Sequence, residues 1–183
     1  ENESSVDYQG DSYGIVEIGD QCWFQQSLRT PMYADGTAIP SNAMSEPNGD
    51  PANIPSMGRL SGREVVMATE GICPTGWHVP SRDEFIQMCE QFLSIPFSYE
   101  GVSEALIVTL PTYWTGTNVS GFSALPSGYY YNLSASWQGF NFGSYFSAWT
   151  STEYSDYNSI FQLSESQVLL NNSATTAYKE SIR

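Results

Sequence analysis

The feature that most constrains this fold is a single strongly periodic segment in a chain that is otherwise almost free of helical periodicity. After Ser81-Arg-Asp-Glu84, the apolar residues Phe85, Met88, Cys89, Phe92 and Leu93 fall at i, i+3, i+4, i+7 and i+8. That spacing places them on one face of an α-helix packed on a core. Ser81 and Glu84 fit the capping box, in which the Ser hydroxyl and the Glu carboxylate each satisfy a free backbone N–H of the first turn. Ser61-Gly-Arg-Glu64 repeats the pattern and predicts a second, earlier helix, while Pro96 is placed to stop the later one.

The remainder reads as strands and loops. Residues 13–26 form a hairpin pattern, with Ile15, Val16 and Ile18 before a Gly19-Asp20 turn and Cys22, Trp23 and Phe24 after it. Residues 30–56 are dense in Pro, Asn, Gly, Asp and Ser and read as a long surface loop. Beyond Gly101, short apolar runs at 107–110, 147–152, 158–163, 167–170 and 177–182 are strand candidates separated by turn residues, and 171–176 reads as a hairpin tip. The expectation is an α+β domain spanning residues 13–183. The polar opening, residues 1–12, reads as a tether.

Composition narrows the function classes. The 183 residues carry six Lys and Arg against twenty Asp and Glu, a formal net charge of −14. Binding to phosphate backbones needs clustered basic side chains, so nucleic acid and anionic membrane are poor partners. Charged residues make up only 14%, matched by 14% aromatics. This balance, with abundant Ser, Asn and Gly, suits an extracellular domain. No apolar run approaches the ~20 residues of a membrane span. The sequence opens on Glu1 without a Met, which predicts a processed, secreted or surface-held chain whose lipid anchor would lie in a removed N-terminal segment.

Cys22, Cys73 and Cys89 are an odd set without a CxxC pair, and His78 is the only histidine. Four zinc ligands would have to converge from distant segments, so no metal is expected. One disulfide plus a free thiol, or three buried thiols, remain open. His78, between Trp77 and Val79, reads as a hydrogen-bonded framework residue rather than a general base. Glu46-Pro-Asn48 spells a lectin-type sugar and calcium tripeptide, but it precedes the helices and lacks companion ligands for a calcium cage. Asp35, Glu46, Asn48 and Asp50 are left as an adventitious ion site at most.

Six stretches carry a family resemblance. They are Val16-Glu-Ile-Gly-Asp-Gln-Cys-Trp23, Asp50-Pro-Ala-Asn53 with Gly58-Arg-Leu60, Cys73-Pro-Thr-Gly-Trp-His-Val-Pro-Ser81, Gly121-Phe-Ser-Ala-Leu-Pro-Ser-Gly128, Trp149-Thr-Ser-Thr-Glu153 and Ser181-Ile-Arg183. In order and spacing, the chain resembles the Fibrobacter succinogenes major paralogous domain family. The resemblance implies a C-type-lectin-like fold, with two helices flanking a twisted antiparallel sheet with long loops, at a bacterial surface. It also implies a Cys just after the terminal strand as the partner of Cys73. The sequence stops at Arg183 without one, and Cys22 with Cys89 is the other pairing considered. Sulfatase-modifying oxidases share this broad fold but work through Cys residues near the C-terminus, and here none follows Cys89. Catalysis and a cofactor are therefore not expected.

The aromatics of the last third are too many for a core. Tyr joins a broad apolar face to a polar tip, which favours recognition of sugars or protein surfaces. The expectation is a ligand-binding surface module for a carbohydrate or protein, with Tyr145, Tyr154, Tyr157, Phe161, Leu169 and Asn171 as the binding residues. The alternatives are an adhesin or other structural envelope component, and a divergent enzyme of the oxidase type.

Overall fold

The computed structural model describes residues 4–93, 101–133, 136–154, 157–174 and 178–183. They form a mixed α+β fold that is mostly sheet. β1 (Ser5–Tyr8), β2 (Asp11–Ile18) and β3 (Gln21–Phe24) make a three-stranded antiparallel sheet. The 13–26 hairpin thus forms as its pattern predicts, with the turn at Gly19-Asp20. The polar opening differs from a free tether, because Ser5–Tyr8 pairs with residues 11–14 and extends the sheet.

The 30–56 stretch is largely irregular. It holds three single 3-10 turns, the two-residue strand β4 (Met44–Ser45) and the start of α1 (Ile54–Met57). β5 (Leu60–Gly62) and α2 (Arg63–Val66) follow. The capping box expected at Ser61 does not form. Ser61 lies inside β5, paired with Met44 and Glu180, and α2 starts one residue after Gly62 without a side-chain cap. The sheet claims the backbone that the local motif would have given to a helix.

The second box forms in full. Ser81 Oγ accepts from Glu84 N at 3.2 Å, and Glu84 Oε2 accepts from Ser81 N at 2.7 Å. α3 (Arg82–Glu90) buries Phe85, Met88 and Cys89, and Phe92 and Leu93 continue the contact. Pro96 lies outside the described residues. α4 (Val102–Leu106) is a single short turn of helix. The run at 107–110 makes only isolated bridges, Ile107 to Ala124 and Leu110 to Trp114, in place of a strand.

The last third supplies β6 (Tyr129–Leu133), β7 (Ser136–Phe140), β8 (Phe146–Tyr154), β9 (Tyr157–Leu163), β10 (Val168–Ala174) and β11 (Tyr178–Ser181). Residues 171–174 continue β10 where a hairpin tip was expected, and 175–177 lie outside the described residues. The eight-stranded sheet runs β10-β9-β8-β11-β5-β4, with β6 also against β11 and β7 beyond β6. Among the described strand pairs only β8–β11 is parallel. The terminal strand is therefore central, and Leu28 N donates to Ile182 O at 2.8 Å, tying the early hairpin to the end of the chain.

Side chains alternate across a strand, so the sheet separates two cores. On one side Phe146, Ala148, Phe161 and Leu163 pack with Trp23, Phe85, Met88, Leu106 and Phe122. On the other, Trp149, Ile160 and Ile182 pack with Tyr13, Phe24, Leu28 and Val65. Trp149 is fully buried, and its indole Nε1 donates to Ser61 O at 2.7 Å. No helix among the described residues is long and apolar enough to cross a membrane.

Candidate functional site

Strand register decides which C-terminal aromatics share a surface. Tyr178 is paired with Tyr131, and Tyr129 with Phe140. Cross-strand partners point to the same side, and the four rings meet there. Centroid distances are 4.8 Å for Tyr131–Tyr178, 5.9 Å for Tyr129–Tyr178, 5.9 Å for Tyr129–Phe140 and 6.4 Å for Tyr131–Phe140. All four residues are half-buried, so the cluster presents ring surface to solvent while resting on the sheet.

The same side continues across β8, β9 and β10. Leu169 pairs with Gln162, and Gln162 with Ser147. Asn171 Nδ2 donates to Gln162 Oε1 at 2.9 Å, and Gln162 Nε2 donates to Ser147 Oγ at 3.0 Å. Ser147 in turn borders the carboxyl of Glu180, which is fully buried. A polar line thus runs from the exposed Asn171, through Gln162 and Ser147, to Glu180 at the foot of the aromatic cluster.

The expected binding residues divide accordingly. Leu169 and Asn171 lie on this face, and Tyr145, half-buried, stands close enough to Tyr129 to raise its phenol pKa. Tyr154 is 43% exposed but sits at the β8–β9 tip, away from the cluster. Tyr157 pairs with Tyr154 in the backbone, and its side chain lies outside the described set. Phe161 requires correction: it is fully buried, stacked on Phe85 on the opposite side of the sheet, and offers no surface to a ligand. Sequence reasoning missed Tyr129, Tyr131, Phe140 and Tyr178 as a group, because only long-range pairing of β6 with β11 assembles them.

Glu180 is the least ordinary group on this face. Burial pushes its carboxyl pKa up to about 8, against the pull of the neighbouring Ser147 hydroxyl. Neither carboxyl oxygen holds a hydrogen bond of good geometry among the described residues. The acid is therefore held neutral at pH 7. Its chain neighbour Lys179 is also buried, and Lys179 Nζ donates to Met44 O at 2.9 Å and to Ser45 Oγ at 3.1 Å.

A pocket of about 310 Å³ lies elsewhere, between the β2–β3 turn and the 73–80 segment. Trp23, Phe24, Leu28 and Trp77 wall it, and Cys22, Cys73, His78 and Glu84 are among its polar lining. His78 Nε2 is 2.8 Å from Glu84 Oε1, and this bond holds the imidazole against the α3 cap as a framework residue. Burial pushes the Cys73 thiol up to about 12, so it is a thiol and a poor nucleophile at neutral pH. Cys22, Cys73 and Cys89 are all free, with Cys22 exposed and Cys89 in the core, so Cys22 and Cys89 are not paired. The acidic groups around the lectin-type tripeptide have local partners. Asp35 accepts from Thr37, Asp50 from Ala52 N, and Glu46 lies 3.5 Å from Arg59. Among the described residues no group of three or more His, Cys, Asp or Glu side chains is placed to hold a metal ion.

Comparison with known proteins gives one match. The family model described as the Fibrobacter succinogenes major domain covers residues 16–183. No curated protein and no solved structure matches the chain.

Proposed function

The chain belongs to the Fibrobacter succinogenes major domain family, and we propose that it is a non-catalytic ligand-binding module of the bacterial surface with a C-type-lectin-like fold. The observation that carries this reading is the continuous, half-buried cluster of Tyr129, Tyr131, Phe140 and Tyr178 on one side of the large sheet. Rings left at a surface keep stacking area available to a sugar or a protein side chain, and Asn171, Leu169 and Tyr145 border it with directional and apolar groups. The central terminal strand and its bond back to Leu28 support the lectin-like assignment. Secretion or lipid anchoring at the outer surface fits the low charge and aromatic wealth of the sequence. The protonated state of Cys73 argues against oxidase-type thiol chemistry.

A glycan and surface-protein array, read with and without calcium, tests the proposal. A calcium-independent ligand that is lost in the Tyr131→Ala/Tyr178→Ala double variant supports the face, provided circular dichroism shows an intact fold. A calcium-dependent sugar ligand unaffected by that variant would move the site to Glu46, Asn48 and Asp50.

One observation favours a structural role as the second reading. β10 ends the sheet order, and its segment Val168–Ala174 carries no charge and no Pro to discourage further strand pairing. Concentration-dependent self-association in sedimentation velocity, abolished by Leu169→Pro, would favour that role.

A further inference from the structure

Glu180 has the properties of half a site. It is fully buried in the central strand, and no charged side chain pairs with it among the described residues. The Ser147 hydroxyl alone favours its anion, without a hydrogen bond of good geometry to either carboxyl oxygen. Five of the six Lys and Arg side chains have partners elsewhere: Arg29 with Asp11, Arg59 with Glu46, Arg63 with Glu153, Lys179 with the carbonyl of Met44 and Arg183 with that of Phe122. A buried polar group without a partner is costly unless a ligand or water completes it.

What lies next to the carboxyl indicates what would complete it. Tyr178 and Glu180 are two residues apart on β11 and so share a side, and the Glu180 charge bears on both the Tyr129 and Tyr178 phenols. Those two rings, with centroids 5.9 Å apart and planes tilted by 43°, flank a potential carboxylate, and Tyr131 is tilted against Tyr178 beyond them. Aromatic faces and a carboxylate together select a cation, and the ring faces select an organic one over a hydrated metal ion. The net charge of −14 adds attraction at long range.

We propose that Glu180, beside the rings of Tyr129 and Tyr178, is the anionic end of a site for an organic ammonium group. The inference rests on the binding face described above and names the chemistry of its ligand. On binding, the carboxylic acid loses its proton to solvent and the carboxylate pairs with the ammonium, which enters as the half-buried Tyr129 and Tyr178 rings part. The line Asn171–Gln162–Ser147 fixes the hydroxyl that borders the carboxylate. The other titratable groups facing Glu180 are the Tyr129 phenol from β6 and the Tyr178 phenol from its own strand. Burial first raises the pKa of both, followed by Glu180 for Tyr129, and by Tyr131 and then Glu180 for Tyr178. They remain neutral across the range in which Glu180 ionises. Lys179 points to the other side of the strand, where burial lowers its pKa and Glu64 and Glu46 raise it.

Isothermal titration of the full chain with n-butylammonium and benzyltrimethylammonium chlorides, at pH 6 and pH 8.5, tests this. Both probes keep their charge over that interval. The expected result is binding at least about tenfold tighter at pH 8.5, with proton release seen as a buffer-dependent heat at pH 6, because ionisation of one acid with a pKa about 8 sets the competent fraction. Glu180→Gln, which keeps the shape, should weaken binding and remove the pH dependence. Tyr178→Leu, which keeps an apolar side chain, should weaken benzyltrimethylammonium by several-fold. Equal binding of n-butanol, or equal affinity of wild type and Glu180→Gln at pH 8.5, overturns the proposal. If the array ligand still depends on Tyr131 and Tyr178 while neither ammonium binds, the face stands and the cation assignment falls. If Glu180→Gln loses the ammonium while removing the rings leaves the array ligand untouched, the cation site stands and the face reading falls.

Discussion

Phe161 of β9 lies face to face on Phe85 of α3, with ring centroids 4.2 Å apart and planes 12° from parallel. Both side chains are fully buried, and Phe146 meets Phe161 edge-on at 6.5 Å. The pair joins the one long helix to the centre of the sheet. Removing either ring leaves a cavity between two rigid elements that collapses poorly. Phe161→Ala should cost about 3–5 kcal/mol in denaturant unfolding, while Tyr154→Ala, at an exposed hairpin tip, should cost little. A loss below about 1 kcal/mol for Phe161→Ala would mean that the stack is not a joint of the core.

Glu180 makes stability depend on pH in a direction opposite to an ordinary carboxylate. Its folded pKa, about 8, stands above its unfolded value of 4.5. The folded state therefore binds a proton that the unfolded state has released. The stabilising effect is complete below about pH 4.5 and is lost as pH rises through 8, with a slope of at most about 1.4 kcal/mol per pH unit from this one group. The melting temperature should fall steadily between pH 5 and pH 8.5, and Glu180→Gln should flatten that fall. A wild-type melting temperature constant over this window would show that the acid is not held neutral.

What was legible in the sequence was local. α3 was, because its apolar spacing and its Ser81/Glu84 cap lie within one continuous segment. So were β8, β9 and β11, whose apolar runs are bounded by turn residues. Ser61 shows the limit, since the same cap motif yields when β11 and β4 pair with its backbone. β6 and β7 were missed because Tyr129–Leu133 and Ser136–Phe140 show no clean alternation, and β6 is held by pairing with β11 some 50 residues later while β7 pairs only with β6. Composition pointed to an aromatic face, but only register tells that Tyr131 and Tyr178 share a side while Phe161 turns inward. Glu180 did leave a signal: Lys179 and Glu180 put two charges in the terminal strand candidate of a chain poor in charge, with Arg183 just beyond it. All three are buried.

The α3 cap is a second place where a small change should register. Burial favours the neutral Glu84 carboxyl, but the Ser81 N–H and the His78 imidazole outweigh it and lower the pKa. This contribution is present above the unfolded carboxylate range and is lost as pH falls through the lowered value. Ser81→Ala should cost about 1 kcal/mol, and Glu84→Gln should cost less, because an amide oxygen can still accept from Ser81 N. Chemical denaturation at pH 7 orders the two, and a neutral Ser81→Ala would show that the helix start is fixed by packing instead.

Gly58 has a positive φ of 77°, and a Cβ there would stand 2.6 Å from Ser27 Cβ and 2.8 Å from Leu28 O. Both obstacles belong to the segment that bonds to the terminal strand, so neither can retreat cheaply. Gly58→Ala should cost about 2 kcal/mol or more, through left-handed strain and the clash together. A change of less than about 0.5 kcal/mol in the midpoint-derived stability would contradict the close approach.

The three thiols should separate by reactivity. Cys22 is exposed on β3, whereas Cys73 and Cys89 are each pushed up to about 12, in both cases first by burial and for Cys89 also by the Glu90 charge. Attack on a disulfide reagent requires a thiolate with access to it. In the folded protein at pH 8, one thiol should react promptly with an aromatic disulfide reagent. The other two should wait for opening of the fold and react at once in denaturant. Cys22→Ser should remove the fast phase and leave the slow one. Two fast thiols would place Cys73 at the surface of the 310 Å³ pocket in an ionisable state, and the argument against thiol chemistry there would fail with it.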